Sequence, residues 1–203
     1  MPIQRYLLIL FVGLLYLLGF GGLSLLRQQG LSLRFAIEGL TITALGTLAT
    51  LASLPLSPIL FIVILYVVTM RVRLLVDLGN WFVSRRQPQR AIGLYHLGLR
   101  LWPDPVSRLL VLINLGVAQL RMREPEAAYQ NLEETMSQET VRVGAKYLAA
   151  GYYNLGLACR RTQRDAEAIQ RFNQAIDVWP NSIHALAAQK ALKERPEYRE
   201  RGE

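Results

Sequence analysis

The chain has 203 residues, enough for one modest domain and an anchor. Apolar residues make up 52% and the mean hydropathy is positive, more than an ordinary soluble surface carries. The formal charge of +8 and the pI near 10 raise nucleic acid as a partner, but no basic stripe with interleaved aromatics occurs, so none is expected.

Charge is unevenly placed. Residues 1–70 contain only Arg5, Arg27, Arg34 and Glu38, and every other charge lies in 71–203. That split separates a lipid-facing part, 1–71, from a water-facing part. Tyr6 to Leu26 is uncharged, and at 1.5 Å per residue it spans about 30 Å, the thickness of a hydrocarbon core. It is too long for a signal peptide and no small-residue cleavage site follows, so it reads as a retained anchor over 6–26. Gly19, Gly21 and Gly22 either leave room for a neighbouring helix or mark slack near a helix end.

Gly39 to Met70 is uncharged as well, and too long for one straight span. Pro55 and Pro58 break it. The favoured reading is two spans, 35–54 and 58–74, joined by a tight turn, with Arg71 and Arg73 reaching the headgroups. A single kinked span stays open. Glu38 reads as an interfacial acid facing water. In both arrangements the excess of Arg71, Arg73, Arg85, Arg86 and Arg90 puts the C-terminal part in the cytoplasm. No Pro or polar linker lies between Pro58 and Gln87, which predicts one continuous helix from the bilayer into the next domain.

The stretch 149–182 resembles the tetratricopeptide repeat, a 34-residue helical hairpin. Tyr152, Leu155 and Gly156 fall where that family has W-x2-L-G. Ala168, Phe172, Ala175 and Pro180 fall on its A, F/Y, A and P, and Cys159 replaces a Tyr. Leu78, Gly79, Phe82, Ala91, Tyr95, Gly98 and Pro103 repeat the spacing over 72–105. Leu115, Gly116, Ala128 and Leu132 repeat it over 109–142, where Gln119, Thr135 and Thr140 depart from the pattern. The resemblance covers 72–182 and implies a three-repeat α-solenoid there. With the apolar spans ahead of it, the chain reads as all-α, N-terminal transmembrane helices and then the solenoid. Small residues (Gly79, Gly116 and Gly156 against Ala91, Ala128 and Ala168) would let paired backbones approach. Tyr95, Leu132 and Phe172 would fill the space between neighbouring pairs. A capping helix and charged tail occupy 183–203, with Asn181 or Ser182 as N-cap.

In that family the first helix of each repeat lines a concave groove. By position, the first repeat offers Arg73, Val76, Asp77, Asn80, Val83 and Ser84. The second offers Leu110, Ile113, Asn114, Val117, Leu120 and Arg121. The third offers Ala150, Tyr153, Asn154, Leu157, Arg160 and Arg161. Amides could bond an extended peptide and the paired arginines could take a carboxylate; the Asn residues could equally serve the scaffold. The Lys/Asn/Arg clamp of the chaperone-binding members is not matched.

No phosphate loop, HExxH, GxSxG or paired-cysteine motif occurs, so neither catalysis nor a cofactor is expected. His96 and His184 stand far apart with no ligand-spaced partner, so no metal is expected. The expected role is an adaptor or assembly factor that holds a cytoplasmic segment of a membrane complex. A permanent structural subunit and a receptor for soluble client peptides are the rivals. The expected partners are protein and membrane lipid, and the anchor and low lysine count suggest the inner membrane of a bacterium.

Overall fold

The structure, a computed structural model, describes residues 3–26, 32–137 and 144–194. Arg27, Thr140 and the charged tail beyond Glu194, all used in the sequence argument, lie outside them. Among the described residues every element is a helix: α1 (Ile3–Leu26), α2 (Leu33–Leu51), α3 (Pro58–Ser84), α4 (Pro88–Arg100), α5 (Pro105–Arg121), α6 (Pro125–Ser137), α7 (Ala145–Arg161), α8 (Asp165–Val178) and α9 (Ile183–Lys193).

Helix starts follow local chemistry. α3, α4, α5 and α6 each begin on a proline, whose fixed φ suits the first turn and whose missing N–H is no loss there. Ser32, Asp104 and Ser182 cap α2, α5 and α9, accepting from the N–H of Phe35, Ser107 and Ala185 at 3.3, 3.1 and 2.9 Å. Of the two N-cap candidates for α9, Ser182 takes the role. Between α2 and α3 the chain turns through Ser53 at φ 65°, and the prolines separate two helices.

α1, α2 and α3 form a bundle around Ile9, Tyr16, Phe61 and Leu65. Its close approaches use Gly13 against Thr43, Gly39 against Leu17 and Gly46 against the Phe61 ring. Gly19 and Gly22, singled out from the sequence, face open space instead. Three of the four threonines of α2 turn inward or sideways and return their hydroxyls to its own carbonyls, Thr43 to Gly39 at 2.7 Å, Thr47 to Thr43 at 2.8 Å and Thr50 to Thr47 at 2.8 Å, while Thr41 is exposed. Its outer face is Leu33, Ile37, Leu40, Leu45, Leu48 and Leu51, all exposed. Among the described residues two helices are long and apolar enough to cross a membrane, over Arg5–Leu23 and Pro58–Ser84. α2, with Arg34 and Glu38 in 19 residues, is not one of them.

α3 runs unbroken to Ser84, so the helix that lines the bundle is also the first helix of the first repeat. Three hairpins then stack in order, α3/α4, α5/α6 and α7/α8, and α9 closes the end. α5 joins the stack by facing two ways. Val111, Leu115 and Ala118 pack with Val72, Val76, Ala91 and Tyr95. Leu109, Ile113 and Leu120 pack with Leu132, Leu155, Cys159 and Phe172.

The three hairpins share two details at matching positions. The first helix of each ends in a residue in the left-handed region: Arg86 at φ 60°, Arg123 at 63° and Gln163 at 62°. The N–H of the residue after each donates five residues back, Gln87 to Phe82 at 2.9 Å, Glu124 to Gln119 at 3.0 Å and Arg164 to Cys159 at 2.8 Å. These bonds satisfy carbonyls the helix leaves open. Second, the glycine of each first helix meets a bulky residue of its own hairpin: Gly79 meets Tyr95, Gly116 meets Leu132 and Gly156 meets Phe172. The glycines therefore admit those large side chains, which corrects the expectation that they faced Ala91, Ala128 and Ala168. The alanines are fully buried beside them.

Candidate protein-binding groove

Because α3, α5 and α7 lie side by side, their shared face forms a groove of about 440 Å³. α3 contributes Arg73, Val76, Asp77 and Asn80. α5 contributes Leu110, Ile113, Asn114 and Val117, and α7 contributes Lys146, Tyr147, Ala150 and Asn154. His184 of α9 closes one end. The floor is apolar and the rim is charged, with Arg73, Asp77 and Lys146 making no ion pair among the described residues.

The amides are partly committed. Asn114 Nδ2 donates to the Leu110 carbonyl at 2.7 Å and Asn154 Nδ2 donates to the Ala150 carbonyl at 2.8 Å. Each keeps its amide oxygen as an acceptor. Asn80 Oδ1 accepts from the Tyr95 hydroxyl at 2.8 Å and keeps its NH2 as a donor. Burial pushes that hydroxyl to about 12, so it stays a donor at any physiological pH. At the groove end, burial and then the nearby Lys146 charge hold His184 below the usual histidine range.

Of the residues expected to bind, Arg73, Asp77, Asn80, Asn114, Val117 and Asn154 come together here. Tyr153 is turned into the stack, 6.0 Å from the Phe172 ring and 5.8 Å from His184. Leu157 packs on the core of the last two repeats. Arg121 lies at the other end of α5, in a hollow with Val83 and Gln87. Leu120 is buried.

Arg160 and Arg161, read as carboxylate binders, are bonded to helix ends. Arg160 Nη2 donates to the Ala191 carbonyl at 2.6 Å, with its guanidinium 4.8 Å above the Phe172 ring. Arg161 Nη1 donates to the Leu120 carbonyl at 2.6 Å. Open carbonyls and the negative end of the dipole draw cations to these C-termini. Lys146, Tyr147 and His184 were missed: α7 starts four residues before the repeat pattern at 149, and His184 belongs to the cap.

Glu38 does not simply face water. It accepts from Arg34 Nε at 2.6 Å and from Arg71 Nη1 at 2.7 Å and Nη2 at 2.8 Å. The same two arginines reach the Leu101 carbonyl, which ends α4, at 2.9 and 3.3 Å. Arg71 is therefore a brace between α2, α3 and the α4–α5 turn, where the sequence suggested a cation reaching for headgroups.

Among the described residues no three His, Cys, Asp or Glu side chains gather as metal ligands. Cys159 is buried, and burial pushes its thiol to about 11.

No curated protein matches the chain. The family model described as tetratricopeptide repeat matches residues 106–181, the second and third hairpins. The first hairpin repeats their glycine register and their left-handed turn. Over residues 106–181 the chain is similar to the tetratricopeptide repeat family, whose helical hairpins form a scaffold for contact between proteins.

Proposed function

We propose that the chain is a membrane-anchored adaptor whose groove holds a juxtamembrane segment of an integral membrane protein, on the cytoplasmic side of a bacterial inner membrane. One observation carries the reading: α3 supplies both an apolar span and the groove residues Arg73, Val76, Asp77 and Asn80. From Arg71 to Asn80 the helix rises only about 14 Å. A groove that close to the bilayer favours a segment that has just left it over a free peptide.

The bundle would sit in lipid with α2 as a third, shorter span. Its inward threonines bond their own helix and its leucines face out, the order a bilayer demands. The arginines Arg34, Arg71, Arg73, Arg85, Arg86 and Arg90 on the repeat side support a cytoplasmic domain. The occupant would be extended, with an apolar residue for Val76, Ile113 and Val117 and a carboxylate within reach of Arg73 or Lys146. The chain would bind without catalysing a reaction.

The test places a photo-reactive residue at Val117 in the full-length protein, with Gln130 on the outer face of α6 as control. Cross-linked species from membranes are identified by mass spectrometry. One integral membrane protein trapped from Val117 and not from Gln130 supports the adaptor. Soluble proteins trapped at Val117 would favour a client receptor. Nothing at Val117, with a partner trapped only through α1 or α2, would make the chain a structural subunit and the groove mere scaffold.

A further inference from the structure

A second cavity, of about 160 Å³, lies where the bundle meets the repeats. One wall is apolar: Phe20 and Leu23 of α1, Phe35 of α2 and Met70 of α3. The other is polar, with Arg34, Glu38, Arg71 and Arg73 facing Asp104 and Ser107 at the start of α5. The charges do not balance. Glu38 is shared by Arg34 and Arg71. Asp104 is occupied with capping α5, accepting from the N–H and hydroxyl of Ser107. Arg73 is left with no ion-pair partner among the described residues. The cavity therefore holds one uncompensated cation beside an apolar wall whose Phe20 and Leu23 are themselves exposed.

The adjoining turn carries an independent sign. Trp102 follows Leu101, whose carbonyl is gripped by Arg34 and Arg71. It is 83% exposed and sits in the left-handed region at φ 52°. An indole held out from a braced turn, level with the end of apolar helices, has the amphipathic shape that favours the headgroup layer.

We propose that this junction is a phospholipid site. A monoanionic phosphodiester from the leaflet on the repeat side places its phosphate on Arg73, its glycerol and upper acyl chain run along Phe20, Leu23 and Phe35, and Trp102 lies in the headgroup layer beside it. The chemistry is that of a phosphate anion. The apolar wall selects a lipid over a free phosphate, because a soluble anion would leave that wall wet. The site rests on the membrane reading given above. Arg73 also lines the groove, so the lipid would form part of the wall against which a bound segment lies.

The experiment uses the full chain in nanodiscs of phosphatidylcholine with phosphatidylglycerol, released into gentle detergent and read by native mass spectrometry. Retention of phosphatidylglycerol, weakened about tenfold by Arg73→Gln and preserved by Arg73→Lys and by the distant Arg90→Gln, is the expected result; tenfold is the size of one charge-assisted hydrogen bond. Circular dichroism shows that each variant is folded. In a Trp81→Phe/Trp179→Phe background, Trp102 fluorescence should be quenched by lipids brominated high on the acyl chain. Equal retention by wild type and Arg73→Gln overturns the site, as does a Trp102 that brominated lipid leaves unquenched. Displacement by millimolar inorganic phosphate or glycerol phosphate would make the ligand a soluble anion and overturn the lipid assignment. A chain that enters no nanodisc and washes off vesicles in carbonate would refute the membrane reading itself, a different result from an inserted chain without bound lipid.

Discussion

Gly156→Ala tests whether the glycine register holds the repeats together. In an open helix the substitution stabilises by about 1 kcal/mol, because alanine has the better propensity. At Gly156 the new methyl carbon would lie 2.6 Å from the Phe172 ring, which is fully buried and has no room to retreat. Overpacking of that kind costs about 1–3 kcal/mol. The two effects oppose each other and the clash is the larger, so the expected net loss is roughly 1 kcal/mol. Removing the ring reverses the sign. In a Phe172→Ala background, itself about 3–5 kcal/mol less stable, Gly156→Ala should recover about 1 kcal/mol. Gly93, in an exposed part of α4 with nothing within 4 Å, supplies the open-site control. The assay is alkylation of Cys159 in the full-length protein, since a buried thiol at about 11 reacts only when this core opens. If Gly156→Ala slows alkylation in wild type as much as in the Phe172→Ala background, the substitutions are additive and the packing argument is wrong.

Other outcomes follow from single residues. Gln163→Gly should stabilise by up to about 1 kcal/mol in thermal or denaturant unfolding, because it removes left-handed strain at φ 62° at the cost of some chain entropy. His184 has a folded pKa held below its unfolded one, so the unfolded chain takes up a proton first as pH falls. Stability should therefore be full above about pH 6.5 and decline below it until the folded form also titrates; His184→Gln should flatten that slope in urea titrations between pH 7 and 5. Glu38→Gln should leave Arg34 and Arg71 poorly paired and weaken the junction by on the order of 1–2 kcal/mol, read as broadened spin-label distances between the outer face of α2 and α6. Arg161→Ala should cost about 1 kcal/mol in unfolding experiments by freeing the Leu120 carbonyl, and should leave partner capture from Val117 intact.

The repeats were legible because their constraint is local and periodic. Gly79, Gly116 and Gly156 recur at fixed offsets from Ala91, Ala128 and Ala168 and from Tyr95, Leu132 and Phe172; that periodicity marks the hairpins, but only the structure tells which of the two sets the glycines meet. The break at Pro55 and Pro58 was legible for the same reason: a proline acts on its own turn. The sequence was silent on contacts made across distance. Nothing in Arg160 or Arg161 announces that its partner is a carbonyl at the end of another helix. Glu38 and Arg71 are 33 residues apart and meet only because α2 and α3 fold back on each other. The close approaches of the bundle were not legible, because Gly13, Gly39 and Gly46 are scattered in sequence and meet their partners only in space, whereas the clustered Gly19 and Gly22 have nothing within 4 Å. The groove was half read. Repeat positions located Asp77, Asn114 and Asn154, but Lys146 and His184 lie on segments outside the repeat count.

The brace at Glu38 bears on how such a protein would choose a partner. A domain on a flexible tether samples a volume, and its gain from anchoring is the effective concentration the tether allows. Here α3 is one helix from Pro58 to Ser84, and the Arg34–Glu38–Arg71 group ties the α4–α5 turn back to the bundle. A second connection beside a stiff one removes rotation as well as translation. The groove would then meet only segments that leave the bilayer at a matching distance and direction. Selectivity of that kind comes from geometry, so the groove can be built from a few apolar side chains, three amides and unpaired charges. A groove exposed to every soluble peptide would need more specific contacts than Arg73, Asp77 and Lys146 provide.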